Sequence, residues 1–496
     1  MNYDNSELLD IHSSSDYEEV KAVVKKIYEE FQKIQDFNGR VTVQQKHIKL
    51  IILNLYVAWL TDPTMWVAYS RNNNDYKPKS RYNKLHISKT VPEVVDHLIE
   101  VGYVEHKMGH YGRDGKHSSH VSRMRATKKL ASLFKKSGIE LEMIDPAPNT
   151  ECIILRNIND EGKKYDMEYE DQDFIKEMRK DLYAYNNLLR RTFIDIAFFP
   201  PKGIPVKTKK DSGKPKYHRI NRADKFVRRI FNNGNWDEGG RFYGGWWQRV
   251  PGKRKVGVAW RAGISINGNR TGELDYSGLH IVLLYLLKGV DYWTVDGRDP
   301  YEIEGLPTSP EMRNLLKLIL LSSINAKSLE ATRKSVQQQI NYDDEMKDWL
   351  KSENVKVKEV ILKFQDRHAL IQEDFSSGIG TKLMYLDSKI AATVINHFTS
   401  KNIPILCIHD SFVIEVQHGE ELKKVMNTAI QDQFPDVVVT SKMKGWEKDF
   451  IWSESSNDND RLVLEAEEKG YEDPDWKGRR SRFLERNYEE VYFKGE

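Results

Sequence analysis

Apolar residues recur every three to four positions over residues 17–37 and 42–61, and this pattern predicts two helices near the start of the chain. Residues 151–170 predict a pair of short strands, and residues 171–196 predict a further helix. We therefore expect a protein that combines helices with strands. Its length of 496 residues suggests about two to four domains.

Residues 86–127 combine one helix with two strands. The helix is expected to stop at Gly102, and a polar turn rich in Arg, Lys and His then separates two strand-like segments. This order is typical of a winged helix-turn-helix, which places a helix in the DNA major groove and a wing against phosphates. The predicted wing carries four cations that we expect to contact DNA: Arg113, Lys116, Arg123 and Arg125. A winged helix that docks another protein is the alternative.

Residues 404–416 predict a β-hairpin with an unusually polar tip. Apolar residues lie on both sides, and the tip holds His409, Asp410 and Ser411. A carboxylate between two apolar strands loses hydration unless another group compensates it. Asp410 is therefore expected to face such a group.

A second carboxylate stands at a comparable position in residues 271–287. Glu273–Tyr276 predicts the end of a strand, and Gly278 lets the chain turn into an apolar helix. Asp275 would then lie at the strand end, with the next backbone carbonyl also available. Two aspartates on neighbouring strands can hold two Mg²⁺ ions, one near an attacking 3′-hydroxyl and one near a leaving pyrophosphate.

Residues 310–336 predict a helix with a cationic stripe. Arg313 and Lys317 are four residues apart and share one face, which Leu321 and Asn325 continue. Two cations, an apolar residue and a polar residue in this order suit a triphosphate, a sugar and a base. A solvated helix face would have the same spacing. The position of the stripe between the two aspartate segments favours phosphate binding.

Three of these segments together resemble a known family. Asp-Tyr-Ser at 275–277, Arg-x3-Lys-x7 at 313–325 and His-Asp at 409–410 resemble motifs A, B and C of the DNA polymerase I family (family A). They also resemble the motifs of the single-subunit phage and mitochondrial RNA polymerases. The resemblance covers about residues 215–445.

The resemblance implies roles for individual residues. Asp275, Asp410 and Lys317 would be catalytic, and two Mg²⁺ ions would be held by Asp275, Asp410 and Tyr276. The expected nucleotide contacts are Arg313, Lys317, Leu321, Asn325, His280 and Tyr276. "GGRFYGGWWQRVP" at 239–251 is similar to the family's segment that touches the primer–template minor groove. The expected DNA contacts in this region are Arg241, His409 beside the primer terminus, and Asp387 on a helix before motif C.

The implied fold class is α+β, a right-hand polymerase with an antiparallel palm sheet and helical fingers, preceded by an α/β winged-helix domain. Four divisions are expected: 1–150, helical and winged-helix-like; 151–230, a basic connecting or thumb-like region; 231–446, palm and fingers; and 447–496, a charged and weakly folded tail.

Charge and composition indicate which partners the protein binds and in which compartment it is expected. The net charge is only +3, but Lys and Arg concentrate in residues 201–229, ahead of an aromatic, Gly-rich stretch at 232–255. Basic residues interleaved with aromatic ones suit a nucleic-acid backbone with stacked bases. Two distant cysteines, no secretory leader and no long apolar run fit a cytoplasmic protein that does not bind membranes. The expected partners are a DNA primer–template and nucleoside triphosphates, and these patterns leave the oligomeric state open.

Three functions follow from these patterns. We favour a DNA-directed DNA polymerase acting in DNA replication. A single-subunit RNA polymerase or primase is the alternative, because His280 and Asn325 stand where family A usually has Glu and Tyr. A non-catalytic DNA-binding replication initiator is the third, although the intact Asp275, Lys317 and Asp410 argue against it.

His280→Ala is expected to raise ribonucleotide use roughly fivefold, or about 1 kcal/mol, because it empties volume in which a 2′-hydroxyl would lie. The ratio of dNTP to rNTP incorporation on one primed template measures the effect. His418→Ala, outside the three motifs, is the control. A wild-type protein that prefers rNTPs would be an RNA polymerase or primase.

Overall fold

A computed structural model describes residues 5–33, 40–110, 121–196, 203–206, 216–250, 260–444 and 475–493. Two predicted wing residues, Arg113 and Lys116, lie outside these ranges. The described chain has a mixed α/β structure with several sheets whose strand pairs are mainly antiparallel.

The N-terminal part forms a small sheet and four helices around one apolar core. Its strands are β1 (Ser6–Leu8), β2 (Ser13–Ser14), β3 (Trp66–Tyr69), β4 (Val104–Lys107), β5 (Ser122–Ala126) and β6 (Asp145–Pro146). Its helices are α1 (Glu18–Gln32), α2 (Val41–Thr61), α3 (Val91–Glu100) and α4 (Lys128–Ser137). The sheet has the order β1-β3-β5-β4, and most residues of α2 are buried in the core.

Several predicted elements of this part are present. The two N-terminal helices are α1 and α2, and the helix predicted within residues 86–127 is α3. Gly102 follows α3 with a φ of +76°, a conformation that favours glycine and ends the helix. The two predicted strands are β4 and β5, which pair antiparallel. The winged-helix assignment and its contact with DNA stay predictions.

The remaining elements surround a second core. The strands are β7 (Ile153–Ile158), β8 (Lys164–Asp166), β9 (Ile194–Ile196), β10 (Ile204–Val206), β11 (Lys216–His218), β12 (Arg228–Phe231), β13 (Gly239–Tyr243), β14 (Ile264–Ile266), β15 (Asn269–Tyr276), β16 (Ile405–Ile408), β17 (Ser411–Glu415) and β18 (Met443–Lys444). The helices are α5 (Asp173–Arg190), α6 (Leu279–Leu287), α7 (Tyr292–Val295), α8 (Pro310–Asn325), α9 (Leu329–Asn341), α10 (Asp344–Ser352), α11 (Val357–Arg367), α12 (Gly380–Ser400), α13 (Gly419–Gln433) and α14 (Trp476–Phe493). This core draws side chains from residues 152–430, and the proposed division at residue 230 stays a prediction.

The central sheet of this part has the order β16-β17-β15-β14-β9, and β18 pairs with the end of β15. Side chains alternate along β15, so Leu274 and Tyr276 enter the core while Asp275 lies on the opposite face. On β17, Phe412 and Ile414 are buried on the same side as Leu274. On β15, burial of Leu274 and Tyr276 therefore places Asp275 on the other face.

Two predicted helices differ from the structure. The helix predicted over 310–336 is two helices, because the chain leaves the helix at Ala326 and Ser328 caps α9 by accepting a hydrogen bond from the amide of Ala331 at 3.1 Å. The helix predicted over 171–196 ends at Arg190. The buried segment Ile194–Ile196 continues as strand β9, which joins the central sheet.

The expectation of a weakly folded tail is wrong for its described part. Helix α14 buries Phe483 against Phe193, with ring centroids 5.5 Å apart. Arg479 donates to the buried carboxylate of Asp195 at 2.7 Å. A charged residue of this segment, Arg479, therefore helps to hold the helix against the rest of the protein. No helix within the described ranges is both long and apolar enough to cross a membrane.

Gly278 connects the polar end of β15 to α6. Its φ is +64°, and a Cβ at this position would lie 2.8 Å from Cγ of Pro300. Gly289 has a similar φ of +75° but no atom within 4 Å of its Cβ position. A substitution at Gly289 therefore adds backbone strain alone, whereas one at Gly278 adds both backbone strain and a steric clash.

Gly289→Ala is expected to lower the free energy of unfolding by about 1 to 2 kcal/mol, the cost of a left-handed alanine. Gly278→Ala should cost about 1 to 3 kcal/mol more, because its methyl group also meets Pro300. Urea denaturation of both variants measures the difference. Equal losses would mean that Pro300 moves away at no cost.

Candidate active site

The two predicted aspartates lie at the same end of neighbouring strands. Asp275 on β15 is paired with Ser411 on β17, and Asp410 directly precedes Ser411. Neighbouring strands are about 4.8 Å apart, so ligands shared by these carboxylates are within reach. Both aspartates are partly exposed. The structure thus brings together the two residues predicted to bind metal ions.

The turn before β17 has an uncommon backbone conformation. Ile408 pairs with Ser411, so His409 and Asp410 form a two-residue loop, and His409 has a φ of +61°. A positive φ at a residue other than glycine is uncommon, and such strain concentrates at functional sites. Burial lowers the pKa of His409, and the positive charge of Arg241 lowers it further. The charges of Asp410 and Asp387 act in the opposite direction but do not reverse this lowering of the pKa.

A hydrogen-bonded group supports the residue opposite Asp275. Ser411 Oγ donates to Oε1 of Glu273 at 2.7 Å, and Arg261 donates to the same oxygen at 2.5 Å. Glu273 lies two residues before Asp275 and therefore on the same face of β15. Glu273 was not predicted to be a site residue, although strand alternation alone places it on the same face as Asp275.

Three residues with separate predicted roles form one cluster: Arg241 on β13, His280 on α6 and Asp387 on α12. Arg241 Nε donates to both oxygens of Asp387, at 3.0 and 2.9 Å, and its Nη2 also donates to Oδ2. His280 Nε2 lies 3.2 Å from Asp387 Oδ2 and 2.9 Å from Arg241 Nη2. The Asp387 side chain is only 1% exposed. A nucleic-acid contact by Asp387 would therefore require this cluster to open, and it stays a prediction.

The cluster lies within electrostatic reach of the catalytic candidates. Burial by itself would lower the pKa of Arg241, but hydrogen bonds to Asp387 and the charges of Asp387 and Asp410 raise it above its usual value. Arg241 therefore remains a cation beside the turn that carries Asp410. Its predicted role at the primer–template end of the site stays compatible with this position.

The predicted cationic stripe lies on the open face of α8. Met312, Leu316 and Ile319 are buried, whereas Leu321 is 50% exposed and Asn325 is also exposed. Arg313 and Lys317 are partly exposed on the same face. The Asn325 side chain donates to the carbonyl of Leu321 at 2.7 Å. The four stripe residues therefore share one accessible surface.

Tyr301 lies beside this stripe and within electrostatic range of the aspartates. The Arg313 guanidinium lies 5.0 Å and the Lys317 ammonium 5.6 Å from its ring centroid, within the range of cation–π contacts. Burial raises the pKa of Tyr301, the charge of Arg313 lowers it, and the charges of Asp299, Asp410 and Asp275 raise it further. The stripe and the aspartate pair therefore act on the same side chain. Tyr301 lies in a segment with no periodic pattern, so sequence reasoning had no signal for it.

Two other residues that were predicted to contact ligands form hydrogen bonds within the protein. The side chain of Tyr276 is buried, and its hydroxyl donates to the carbonyl of Met426 at 2.6 Å. A nucleotide contact by the Tyr276 side chain would have to break this core contact, and both that contact and the metal contact of its main-chain carbonyl stay predictions. Arg125 donates to Glu105 at 2.5 Å and lies over the Trp66 ring. DNA phosphates would have to compete with Glu105 for Arg125.

Arg123, the fourth predicted wing cation, is paired with Ala68 on β3 and with Lys107 on β4. Its side chain is partly exposed in this central strand of the small sheet. Its predicted phosphate contact stays a prediction.

The available donors suit magnesium. Within the described residues, no group of three or more His, Cys, Asp or Glu side chains could hold a metal ion. Asp275, Asp410 and the carbonyl of Tyr276 supply only oxygen donors. Mg²⁺ is usually held by one or two carboxylates together with waters and substrate phosphates. The residues present therefore fit Mg²⁺ if a substrate supplies further ligands.

No protein-family model and no curated protein matches this chain. Among solved structures, it is similar to the POL domain of Pol1 from M. smegmatis in complex with DNA primer-template and dNTP. The two share 16% sequence identity with a TM-score of 0.23, over 42% of this chain and 45% of that chain. The chain thus matches less than half of that structure, and this likeness does not establish a shared fold.

The contact between Arg241 and Asp387 should show strong energetic coupling. Arg241→Met is expected to lower the free energy of unfolding by about 3 to 5 kcal/mol, because it leaves a buried carboxylate without its guanidinium. The double variant Arg241→Met/Asp387→Asn should lose less than the sum of the single variants. Urea denaturation of the four proteins measures this coupling.

The exposed pair Lys21–Glu18, at 2.8 Å, is the matched control. Its coupling should be far weaker than that of Arg241 and Asp387, because water screens both charges. Additive losses at Arg241 and Asp387 would contradict the coupling.

Proposed function

We propose that this protein is a template-directed nucleotidyltransferase that adds nucleotides to a 3′-hydroxyl, with a DNA-directed DNA polymerase as the leading form. The strand register that places Asp275 opposite Ser411, next to Asp410, carries this proposal. The cations of α8 support it, because Tyr301 contacts them and is also influenced by both aspartates. The resemblance of the three segments to motifs A, B and C agrees with this arrangement.

Each group has a role in this proposal. Asp275, Asp410 and the Tyr276 carbonyl would hold two Mg²⁺ ions, which when bound favour ionisation of the 3′-hydroxyl and neutralise charge on the leaving pyrophosphate. Arg313 and Lys317 would bind the triphosphate through charge-assisted hydrogen bonds. Lys317 would also stabilise the charge that develops as the phosphoryl group is transferred.

The nucleic acid would approach from the side of β13 and the β16–β17 turn. Arg241 is a cation near Asp410, and His409 is the residue directly before it. Because the pKa of His409 is lowered, its imidazole would contact a primer end mainly through a hydrogen bond. The cluster with Asp387 and His280 would fix the direction of the Arg241 guanidinium.

RNA synthesis is the second candidate function. The exposed end of the α8 stripe favours it, because the small side chain of Asn325 folds back onto the Leu321 carbonyl and leaves space at the predicted sugar and base position. His280 opposes it, since it stands at the offset where the resembling family places its sugar-gating residue and its imidazole would occupy volume there. Parallel assays with dNTPs and rNTPs decide between the two.

Asp275→Asn and Asp410→Asn are each expected to reduce incorporation roughly 100-fold or more, because each removes a charge that the reacting phosphates require. Binding of primed DNA should stay near normal. The measurement is primer extension with Mg²⁺ and labelled dNTPs or rNTPs. Asp432→Asn, at an exposed position on α13, is the control and should retain activity.

Full activity of either aspartate variant would place the metal ligands elsewhere. A wild-type protein that binds DNA but incorporates neither kind of nucleotide would instead support the replication-initiator hypothesis.

A further inference from the structure

Arg313, the first cation of the α8 stripe, forms an ion pair with an acidic side chain of this protein. Its Nη2 donates to Oδ2 of Asp299 at 2.9 Å, and its Nε lies 3.3 Å from the same oxygen. The two side chains are 29% and 41% exposed, so solvent and solutes reach the pair. A ligand can therefore approach the guanidinium without unfolding its surroundings.

The backbone around Asp299 is held in place independently of Arg313. Asp299 Oδ1 accepts from the amide of Tyr301 at 2.9 Å, and the Asp299 carbonyl accepts from the amide of Glu302 at 2.9 Å. The next residue, Pro300, is buried, and its carbonyl accepts from Nε2 of His368 at 3.0 Å. Asp299 would therefore stay near Arg313 after the guanidinium turned to another partner.

Carboxylate and phosphate oxygens accept the same fork of guanidinium donors. A phosphate bound by Arg313 would therefore have to replace Asp299 Oδ2. We propose, on the basis of the function proposed above, that Asp299 is an internal competitor that lowers the affinity of the site for triphosphates. Lys317 follows Arg313 by four residues on the same face of α8, so a polyphosphate bound there can contact both cations.

The opposite role for Asp299 makes the opposite prediction. If Asp299 only oriented Arg313 toward the substrate, its removal would weaken triphosphate binding. If Asp299 only stabilised the turn at Tyr301, its removal would change the stability of the protein but not its affinity for triphosphates. The sign of the change in affinity therefore separates these roles.

The test measures binding of inorganic tripolyphosphate to the full chain by calorimetry. Asp299→Asn should bind roughly twofold to fivefold more tightly, the range expected from loss of a partly exposed ion pair. Asp299→Ser, which retains a short oxygen acceptor for the turn, should show the same gain. Asp299→Glu, which retains the charge, should not.

Two further proteins complete the experiment. Asp296→Asn removes a carboxylate from the same segment that pairs with Arg298 and Arg367, and it should leave the affinity unchanged. In an Arg313→Gln background, Asp299→Asn should not increase the affinity for tripolyphosphate, because the guanidinium for which Asp299 and phosphate compete is absent.

Tighter binding that depends on Arg313 supports the proposal. Unchanged or weaker binding by Asp299→Asn and Asp299→Ser, with a wild-type protein that binds tripolyphosphate, overturns it and leaves the proposed function intact. A wild-type protein and variants that all fail to bind tripolyphosphate and dNTPs overturn it together with the proposed function.

Discussion

The antiparallel register between β15 and β17 is the constraint on which the candidate site depends. Leu274 and Phe412 face each other in the core, and this pairing places Asp275 opposite Ser411 on the other face. A slip of one residue would reverse the two faces and bury the carboxylate, so the apolar core specifies the register. Asp410 then lies at the same end because only a two-residue turn separates β16 from β17.

The carboxylates differ in how far their charge is compensated within the protein and in how far solvent reaches them. Asp387 is sealed against Arg241 and His280, so its charge is compensated within the protein. Buried Glu415 accepts hydrogen bonds from the side chains of three amide residues: Asn267, Asn269 and Gln417. Asp275 and Asp410 are partly exposed at a strand end. A buried carboxylate needs such compensation, whereas a partly exposed one keeps part of its hydration.

Local pattern predicted most elements around the site but not their exact ends. The hairpin of β16 and β17, the turn at Gly278 and the stripe of α8 follow from alternation, glycine and four-residue spacing, and all are present. The break at Ala326 was missed because apolar spacing continues across it, while the cap at Ser328 acts only locally. Helix α14 was missed because its charged sequence resembles a solvated tail, and its order depends on Phe483 and Arg479 docking on distant residues.

The sequence by itself determined the faces of strands and helices, because side-chain direction follows directly from the backbone period. It thereby indicated Asp275, Asp410 and the α8 stripe. Only the tertiary structure decided that Arg241 joins Asp387, 146 positions away, and that it also meets His280, 39 positions away. The same holds for Tyr301 beneath the cations of α8. These contacts depend on how separate elements pack together, and no local period encodes the distance between them.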